Sequence, residues 1–359
     1  NDTLVSQLRE LVRSHNPSVK YTPDALAAAA QAHLNGIDPE TYGVWVHYPW
    51  SRRLVHLLDE VEFALVRTDR NRNKITSNEQ ALLAAKRVGV VGLSVGQSAA
   101  LTLALERSFG ELRIADFDTL DLSNLNRIRS GVHHLGINKC VNVAREIAEI
   151  DPYLKVTCFQ EGLGRENIGR FFEEGGKLDL LIEECDSVDV KIFSRQKAKA
   201  LRIPVIMDTS DRGMIDVERF DLEPERPILH GLIEHLDPDD AAKAKTNEEK
   251  LPFLAPIAGL DTLSPRMKAS LLELNQTVVT WPQLASSVVL GGALVGDVAR
   301  RILLGEPTIS GRWYVDMERL VSGSKSEEGT PSLYRDVPAL PVRELTLDAM
   351  LERAERIPA

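Results

Sequence analysis

A twelve-residue stretch, residues 116–127, carries side chains suited to binding a nucleotide. It contains Asp116 and Asp118, followed by Asn124 and Arg127. A carboxylate at the end of a strand can hold ribose hydroxyls, whereas amides and a guanidinium neutralise phosphates. A dehydrogenase that only binds a dinucleotide has no need of the second pair, Asn124 and Arg127. The stretch therefore indicates a polyphosphate site.

Two residues farther along the chain extend this set. Lys139 supplies another cation, and Asp186 follows a predicted strand over residues 178–182. A carboxylate at the carboxyl end of a strand can carry Mg²⁺ beside phosphates. Together these residues favour ATP with Mg²⁺ as the ligand.

The elements that position this cluster form a Rossmann-like opening. Val-rich residues 88–91 predict a buried strand, and residues 92–97 (GLSVGQ) form a glycine-containing turn. Residues 98–108 predict a helix that Gly110 ends, and residues 112–115 predict the second strand.

The glycine turn differs from the full dinucleotide-binding pattern. Its first glycine, Gly92, is present, but Ser94 replaces the middle glycine and Gln97 the last, which follows Gly96. From the turn alone, a structural turn and a phosphate-binding loop remain equally open. We take Gly92, Ser94 and Gly96 as candidate nucleotide-binding residues because of the cluster that follows them.

The predicted fold class is α/β, with a Rossmann-like, mostly parallel sheet, helices on both faces and a small N-terminal α+β subdomain. Residues 1–68 form this subdomain and residues 69–321 the nucleotide-binding domain. A charged, mobile insert is predicted at about 234–249. Residues 322–343 are typical of a linker, and residues 344–359 predict a C-terminal helix.

From about Arg67 to Met317 the chain resembles the E1-like adenylating enzymes, which include the thiamin- and molybdopterin-pathway (ThiF and MoeB) and ubiquitin-activating enzymes. The resemblance lies in the glycine turn, the Asp-x-Asp pair, the Ser-Asn-Leu-x-Arg segment, the following lysine and the late aspartate. It implies that Asp116 holds the ribose and that Asn124, Arg127 and Lys139 hold the phosphates. It also implies that Asp186 binds Mg²⁺.

An arginine-rich segment upstream resembles the family motif that reaches the ATP of a partner subunit. The resemblance implies that Arg70, or secondly Arg72, completes the catalytic site across a homodimer. An ordinary solvated turn is the alternative.

Three departures from the family pattern limit what the resemblance implies. Ile128 stands where the family has Gln after the arginine. No Cys-x-x-Cys pair exists, so no zinc is expected. Residues 209–213 contain no cysteine, so a covalent thioester is not expected.

The C-terminal helix, residues 345–354, resembles the entry helix of flavin-dependent nitroreductases. It indicates either the start of a nitroreductase-like flavin domain in the same chain or a simple docking helix.

Composition restricts the class of partner. The net charge of −10 argues against DNA, because binding to phosphates needs a basic face. The longest apolar run, near residue 290, predicts a buried helix and no membrane association. Three cysteines at unrelated spacings fit a reducing compartment, and we expect a cytoplasmic protein.

The sequence thus predicts an ATP- and Mg²⁺-dependent enzyme that adenylates a carboxylate. The acyl substrate remains open among a small molecule, a peptide, a protein C-terminus and a modified tRNA base. An inactive or nucleotide-binding scaffold that presents a peptide or flavoprotein partner is the alternative. NAD-dependent redox chemistry does not explain Asn124, Arg127 and Lys139.

Overall fold

The computed structural model describes residues 1–237, 243–244 and 246–322. The predicted linker and C-terminal helix lie outside these residues, except Ser322, and so does the resemblance to nitroreductases. The predicted charged insert is described only in part: its last residues, Asn247–Glu249, begin a helix with a capping box between Thr246 and Glu249.

The N-terminal subdomain is α+β, as predicted. It consists of α1 (Leu4–His15), α2 (Pro23–His33), a hairpin of β1 (Val44–Tyr48) and β2 (Arg53–Leu57), and α3 (Glu60–Arg67). Leucines from the helices and Leu58 form its own hydrophobic cluster. The tryptophan-rich hairpin docks on a later helix rather than on the sheet, because Trp50 Nε1 donates to Glu149 Oε1 (2.6 Å) and Tyr48 donates to the Ala148 carbonyl (3.1 Å).

The central sheet is mostly parallel and confirms the predicted α/β class. Its strands lie in the order β5-β4-β3-β6-β7-β8-β9; the β7–β8 and β8–β9 pairs are antiparallel and the other pairs are parallel. The strands are β3 (Arg87–Val91), β4 (Glu111–Ala115), β5 (Lys155–Phe159), β6 (Leu180–Glu183), β7 (Val205–Thr209), β8 (Met214–Glu218) and β9 (Gly311–Tyr314).

Helices cover both faces of this sheet. In chain order they are α4 (Ser77–Leu83), α5 (Gly96–Glu106), α6 (Lys139–Ile150), α7 (Ile168–Glu173), α8 (Val188–Ala200), α9 (Asn247–Ala258), α10 (Pro265–Leu272), α11 (Ala285–Leu303) and α12 (Met317–Ser322). One core contains side chains from α5, α6 and α11, and the other contains side chains from α7 and α8. Alternate strand residues such as Val90 and Val91 supply the two cores.

The apolar run near residue 290 forms part of helix α11, which buries one face, whereas Val289 on its other face is 61% exposed. Glycines allow it to approach α5 closely: an added Cβ at Gly292 would lie 2.2 Å from Ser98 Oγ, and one at Gly296 would lie 2.7 Å from Thr102 Cγ2. Among the described residues, no helix is both long and apolar enough to cross a membrane.

The helix after the glycine turn ends earlier than predicted, and Gly110 has another role. Helix α5 ends at Glu106, and Arg107 takes the left-handed conformation (φ 57°) that closes it. A Cβ at Gly110 would lie 1.9 Å from the Ala84 carbonyl oxygen. Gly110 is therefore needed for close approach to the end of α4 and does not stop α5.

The order of the strands fixes where a ligand can bind. Strand β3 pairs with β4 on one side and with β6 on the other, so the chain reverses its direction of winding between β3 and β6. Ligands of open α/β sheets bind at such a switch point, outside the carboxyl ends of the strands.

Candidate active site

The turn after β3 lies directly against the loop after β6. Gly92 has φ +85°, and an added Cβ would lie 2.7 Å from the backbone nitrogen of Cys185 and the carbonyl of Glu184. At Gly96 an added Cβ would lie 2.9 Å from Val90 Cγ1. Gly92 is therefore needed for close contact with the backbone of the loop after β6, and Gly96 for close contact with the Val90 side chain of β3.

Ser94 takes part in positioning a cation. Its hydroxyl accepts a hydrogen bond from Arg127 Nε (3.1 Å). Burial lowers the pKa of the half-buried Arg127, and the charge of Asp186 acts in the opposite direction. The structure thus brings Ser94, Arg127 and Asp186 together at the switch point.

Gln97 has a role that the sequence did not reveal. Its buried amide accepts from the backbone nitrogen of Arg129 (3.0 Å), donates to the Arg129 carbonyl (3.0 Å) and donates to Glu146 (3.3 Å). Gln97 therefore holds the chain just after Arg127 against α5. Where the dinucleotide-binding pattern has its last glycine, which allows close helix packing, this chain therefore has a glutamine that forms specific hydrogen bonds.

The acidic pair after β4 lies on the other side of the switch point. Asp116 accepts hydrogen bonds from the backbone amides of Leu93 (2.7 Å) and Asp118 (2.8 Å). Burial raises the pKa of Asp116, although the charge of Lys139 and these amides oppose the shift. Lys139 Nζ forms an ion pair with Asp118 (2.8 Å). The glycine turn, both aspartates and Lys139 therefore share one edge of the sheet.

The amide-rich turn joins this edge to the segment before α11. Asn124 is buried, and its Oδ1 accepts from the backbone amide of Asp121 (3.0 Å), which holds the turn. Asn126 Nδ2 donates to the Gln283 carbonyl (2.7 Å). Asn124 thus lies beside the site, but its carbonyl oxygen already stabilises the backbone.

Arg70 and Arg72 lie far from this edge in their own chain. Asn71 donates to the carbonyl of Glu106, the last residue of α5, whereas the glycine turn lies at the first. An eleven-residue helix is about 16 Å long. Arg72 donates to the Ser14 carbonyl (3.2 Å) and pairs with Asp69, while Arg70 is exposed. Neither arginine is brought to the site of its own chain.

A buried ionic network supports the loop after β6. Glu183 accepts from Lys191 Nζ (3.1 Å) and Arg195 Nη1 (2.5 Å), and Arg195 Nε also donates to Glu218 (2.6 Å). Burial favours the neutral form of Glu183, but the charges of Lys191 and Arg195 outweigh it and lower its pKa. These contacts join β6, α8 and β8 beneath the site.

A second pair of carboxyl groups was missed by the sequence reasoning. The backbone amide of Asp208 donates to Glu184 Oε1 (2.9 Å), and burial raises the pKa of Asp208 to about 7. Glu184 follows β6 and Asp208 ends β7, so only the pairing of these strands brings them together. The sequence places Asp208 and Asp211 after a predicted strand over residues 204–207 and leaves them equally open as partners of a substrate amine or as caps of the next turn.

Asp211 has a structural role. Its carboxylate accepts from the backbone amide (2.7 Å) and hydroxyl (2.6 Å) of Ser264, the N-cap of α10. It therefore fixes the start of a distant helix.

A cavity of about 170 Å³ opens beside these groups at the carboxyl ends of β6 and β7. Asp186 and Cys185 line it on one side, and apolar residues of α9 and α10 line it on the other. Burial and the charge of Glu183 raise the pKa of the Cys185 thiol, which donates to Glu183. The cavity therefore joins the expected phosphate site to an apolar compartment.

Comparison with known proteins identifies a family. The model of the ThiF family matches residues 68–311. The chain is 47% identical over 298 residues to the uncharacterized protein MT1398 of Mycobacterium tuberculosis, a match that covers 82% of this chain and 41% of that protein. It is 24% identical over 154 residues to the molybdopterin-synthase adenylyltransferase of Haemophilus influenzae, covering 43% of this chain and 62% of that enzyme.

The chain thus matches less than two thirds of the length of either relative. A solved structure of the Escherichia coli tRNA N6-threonylcarbamoyladenosine dehydratase is also similar, with a TM-score of 0.49 and 16% identity, covering 69% of this chain and 98% of that one.

The raised pKa of Asp208 generates a prediction about stability. Its folded pKa of about 7 exceeds the ordinary value of 3.8, so the stabilisation from the bound proton is complete below about pH 4 and is lost as the pH rises through 7. Asp208→Asn cannot ionise. Between about pH 5 and pH 8 its free energy of unfolding should rise relative to the wild type, by on the order of 2–4 kcal/mol. Urea unfolding at both pH values measures the difference.

Asp297→Asn provides a control of opposite sign. Burial raises the pKa of Asp297, but hydrogen bonds and charge from Arg301 and Arg300 outweigh it, so the net shift is downward. The ionised Asp297 carboxylate stabilises the fold at pH values above the usual pKa of aspartate. The variant should therefore lose stability relative to the wild type as the pH rises. Parallel stability curves for the wild type and Asp208→Asn would contradict the assignment.

Proposed function

Since the chain belongs to the ThiF family, whose E1-like fold it shares, we propose that it adenylates a carboxylate with ATP and Mg²⁺. The observation that carries this proposal is the convergence of Ser94-bound Arg127, Lys139 and Asp186 on one switch point. The activity of the relatives supports it, because the Haemophilus influenzae enzyme is named an adenylyltransferase.

The reaction joins the substrate to AMP. A carboxylate oxygen attacks the α-phosphorus, the bond from that phosphorus to the bridging oxygen of the β-phosphate breaks, and pyrophosphate leaves. The acyl-adenylate keeps the carbonyl carbon ready for a nucleophile. This chemistry requires neutralisation of charge at phosphorus more than proton transfer, which suits a site of cations and amides.

Individual residues have distinct roles in this proposal. Asp116 holds the ribose, and the hydrogen bond that it accepts from the Leu93 amide, within the glycine turn, supports this role. Arg127 and Lys139 neutralise the phosphates, with Gln97 fixing the segment that carries Arg127. Asn124 supports the turn between them.

The exposed Asp186 fits a magnesium ion. Mg²⁺ takes oxygen ligands, commonly one or two carboxylates with phosphate oxygens and water. Asp186 lines the cavity, and its charge acts on Arg127, which supports a position beside the phosphates. When bound, the ion supplies charge stabilisation for the leaving pyrophosphate.

The chemistry of the cysteines supports transfer without a thioester intermediate. Cys185 is the cysteine that lines the cavity, and its raised pKa keeps the thiol protonated. A protonated thiol is a poor nucleophile. We propose that the acyl-adenylate passes directly to an external nucleophile.

Pyrophosphate exchange into ATP tests this activity. With a panel of free acids and peptides, at least one carboxylate should support exchange by the wild type. Lys139→Met and Asp186→Asn should reduce that exchange by on the order of 10²–10³-fold, because each removes a charge that stabilises the transition state. Lys155→Met is the matched control, since Lys155 is exposed, pairs with Glu111 and begins β5 at the opposite edge.

The control variant should retain wild-type exchange. Circular dichroism should show that all three variants remain folded. An equal loss in Lys155→Met, or undiminished exchange in Lys139→Met, would contradict the assignment of the site.

We also propose that the site is completed in a homodimer by Arg70. This exposed arginine lies at the far end of α5 from its own site, whereas Arg72 is engaged by Ser14 and Asp69. A cation supplied across a twofold interface would act on the phosphates in the manner of an arginine finger. A single chain would lack that charge.

Complementation tests the shared site. Arg70→Ala and Lys139→Met should each be inactive, but a mixed dimer of the two has one intact site and one with both defects. Random mixing makes half of the dimers mixed, so exchange should recover to about a quarter of the wild-type value. Light scattering that shows monomers, or inactive dimers that mass spectrometry identifies as mixed, would contradict the proposal.

A further inference from the structure

The cavity beside Asp186 has two chemically different parts. Its outer wall is apolar and includes Leu254, Leu263, Met267 and Trp281. Its inner wall, at the carboxyl ends of β6 and β7, is the Glu184–Asp208 carboxyl pair. An occupant must therefore combine an apolar body with a polar group at its buried end.

The inner carboxyl group has no cationic partner. Asp208 is 5% exposed, and within the described part of the chain neither of its carboxylate oxygens accepts a hydrogen bond from a backbone amide or a cation; the Glu184 carboxyl beside it, whose pKa burial raises, can share a proton with it. Gly291 of α11 fits tightly over it, since an added Cβ there would lie 2.1 Å from Oδ2. Buried carboxylates without partners are costly, so this group calls for a donor from a ligand.

Charge balance shows that the donor should be a cation. Lys191 also lines the cavity, but its ammonium group donates to both oxygens of Glu183 (3.2 and 3.1 Å). Arg195 bridges Glu183 and Glu218. Lys191 and Arg195 balance Glu183 and Glu218, so the Glu184–Asp208 pair, in which burial raises both pKa values, has no cation of its own in this network.

We propose that the Glu184–Asp208 pair binds a primary ammonium group of the substrate, so that the acid activated beside Asp186 carries an amine on an apolar stem. The inference rests on the proposed adenylation and specifies its substrate class. An ammonium group is compact and presents three donors, which suits the oxygens of Asp208.

The size and polarity of the cavity favour this occupant over a metal ion. Apolar cavities of about 150 Å³ hold a six-carbon ring, so about 170 Å³ accommodates an alkyl stem of similar size. Mg²⁺ retains several waters and needs six oxygen ligands. The apolar wall offers a metal ion neither oxygen ligands nor groups that would hold its water molecules.

Binding of n-hexylammonium to the whole protein tests the subsite without ATP. Calorimetric titration should show that it binds at least about 10-fold more tightly than n-hexanol, because the ammonium group forms charge-assisted hydrogen bonds. Asp208→Asn should remove this preference while leaving hexanol binding unchanged. Asp189→Asn, which removes a carboxylate paired with Arg165 at the surface, is the control and should behave as the wild type.

Glu184→Gln is the second variant if Asp208→Asn does not fold, and it should weaken hexylammonium binding similarly. Equal binding of hexylammonium and hexanol would overturn the inference. Asp208-dependent binding of Mg²⁺ alone, with no binding of hexylammonium, would overturn it in favour of a metal site.

Pyrophosphate exchange with 6-aminohexanoate and hexanoate separates this inference from the proposed activity. The amino acid should have a KM at least about 10-fold lower, and Asp208→Asn should abolish the difference. Equal KM values in the wild type would overturn the ammonium subsite and leave adenylation intact. Asp208-dependent binding of hexylammonium without exchange for any acid would support the subsite and contradict adenylation.

Discussion

The close approach of two backbone segments at Gly92 determines the geometry of the whole site. The turn after β3 contacts the loop after β6 so tightly that a Cβ would lie 2.7 Å from the Cys185 nitrogen. This contact places the glycine turn beside Asp186. The Ser94 hydroxyl in that turn accepts a hydrogen bond from Arg127, which belongs to the segment after β4. Strand order, a left-handed glycine and one hydrogen bond thus bring together residues that are almost 100 positions apart.

Buried charge distinguishes the supporting structure from the part that is available to a ligand. Glu183, Lys191, Arg195 and Glu218 satisfy one another and join β6, α8 and β8. Removing one member of such a network leaves an uncompensated buried charge and costs roughly 3–5 kcal/mol. The adjacent Asp208 carboxyl has no backbone or cationic donor among the described residues, and this is the observation on which the inferred ammonium subsite rests.

Local sequence patterns predicted the strands and the ligand edge, because β-branched runs and glycine turns act over a few residues. They did not predict what Gln97 does, since its partners Arg129 and Glu146 are brought to it by tertiary packing. For the same reason Gly110 was taken as the end of α5, although its contact is the Ala84 carbonyl. The Glu184–Asp208 pair arises only when β6 and β7 pair, which no local pattern encodes.

Thermal unfolding with nucleotides tests the central claim, that the edge between β3 and β6 binds Mg-ATP, most directly. A ligand that binds only the folded state stabilises it by about 2.7 kcal/mol at 100 times its Kd. The account predicts that Mg-ATP raises the midpoint of unfolding, that ATP with a chelator raises it less, and that NAD has far less effect than Mg-ATP. A larger shift with NAD than with Mg-ATP would contradict it.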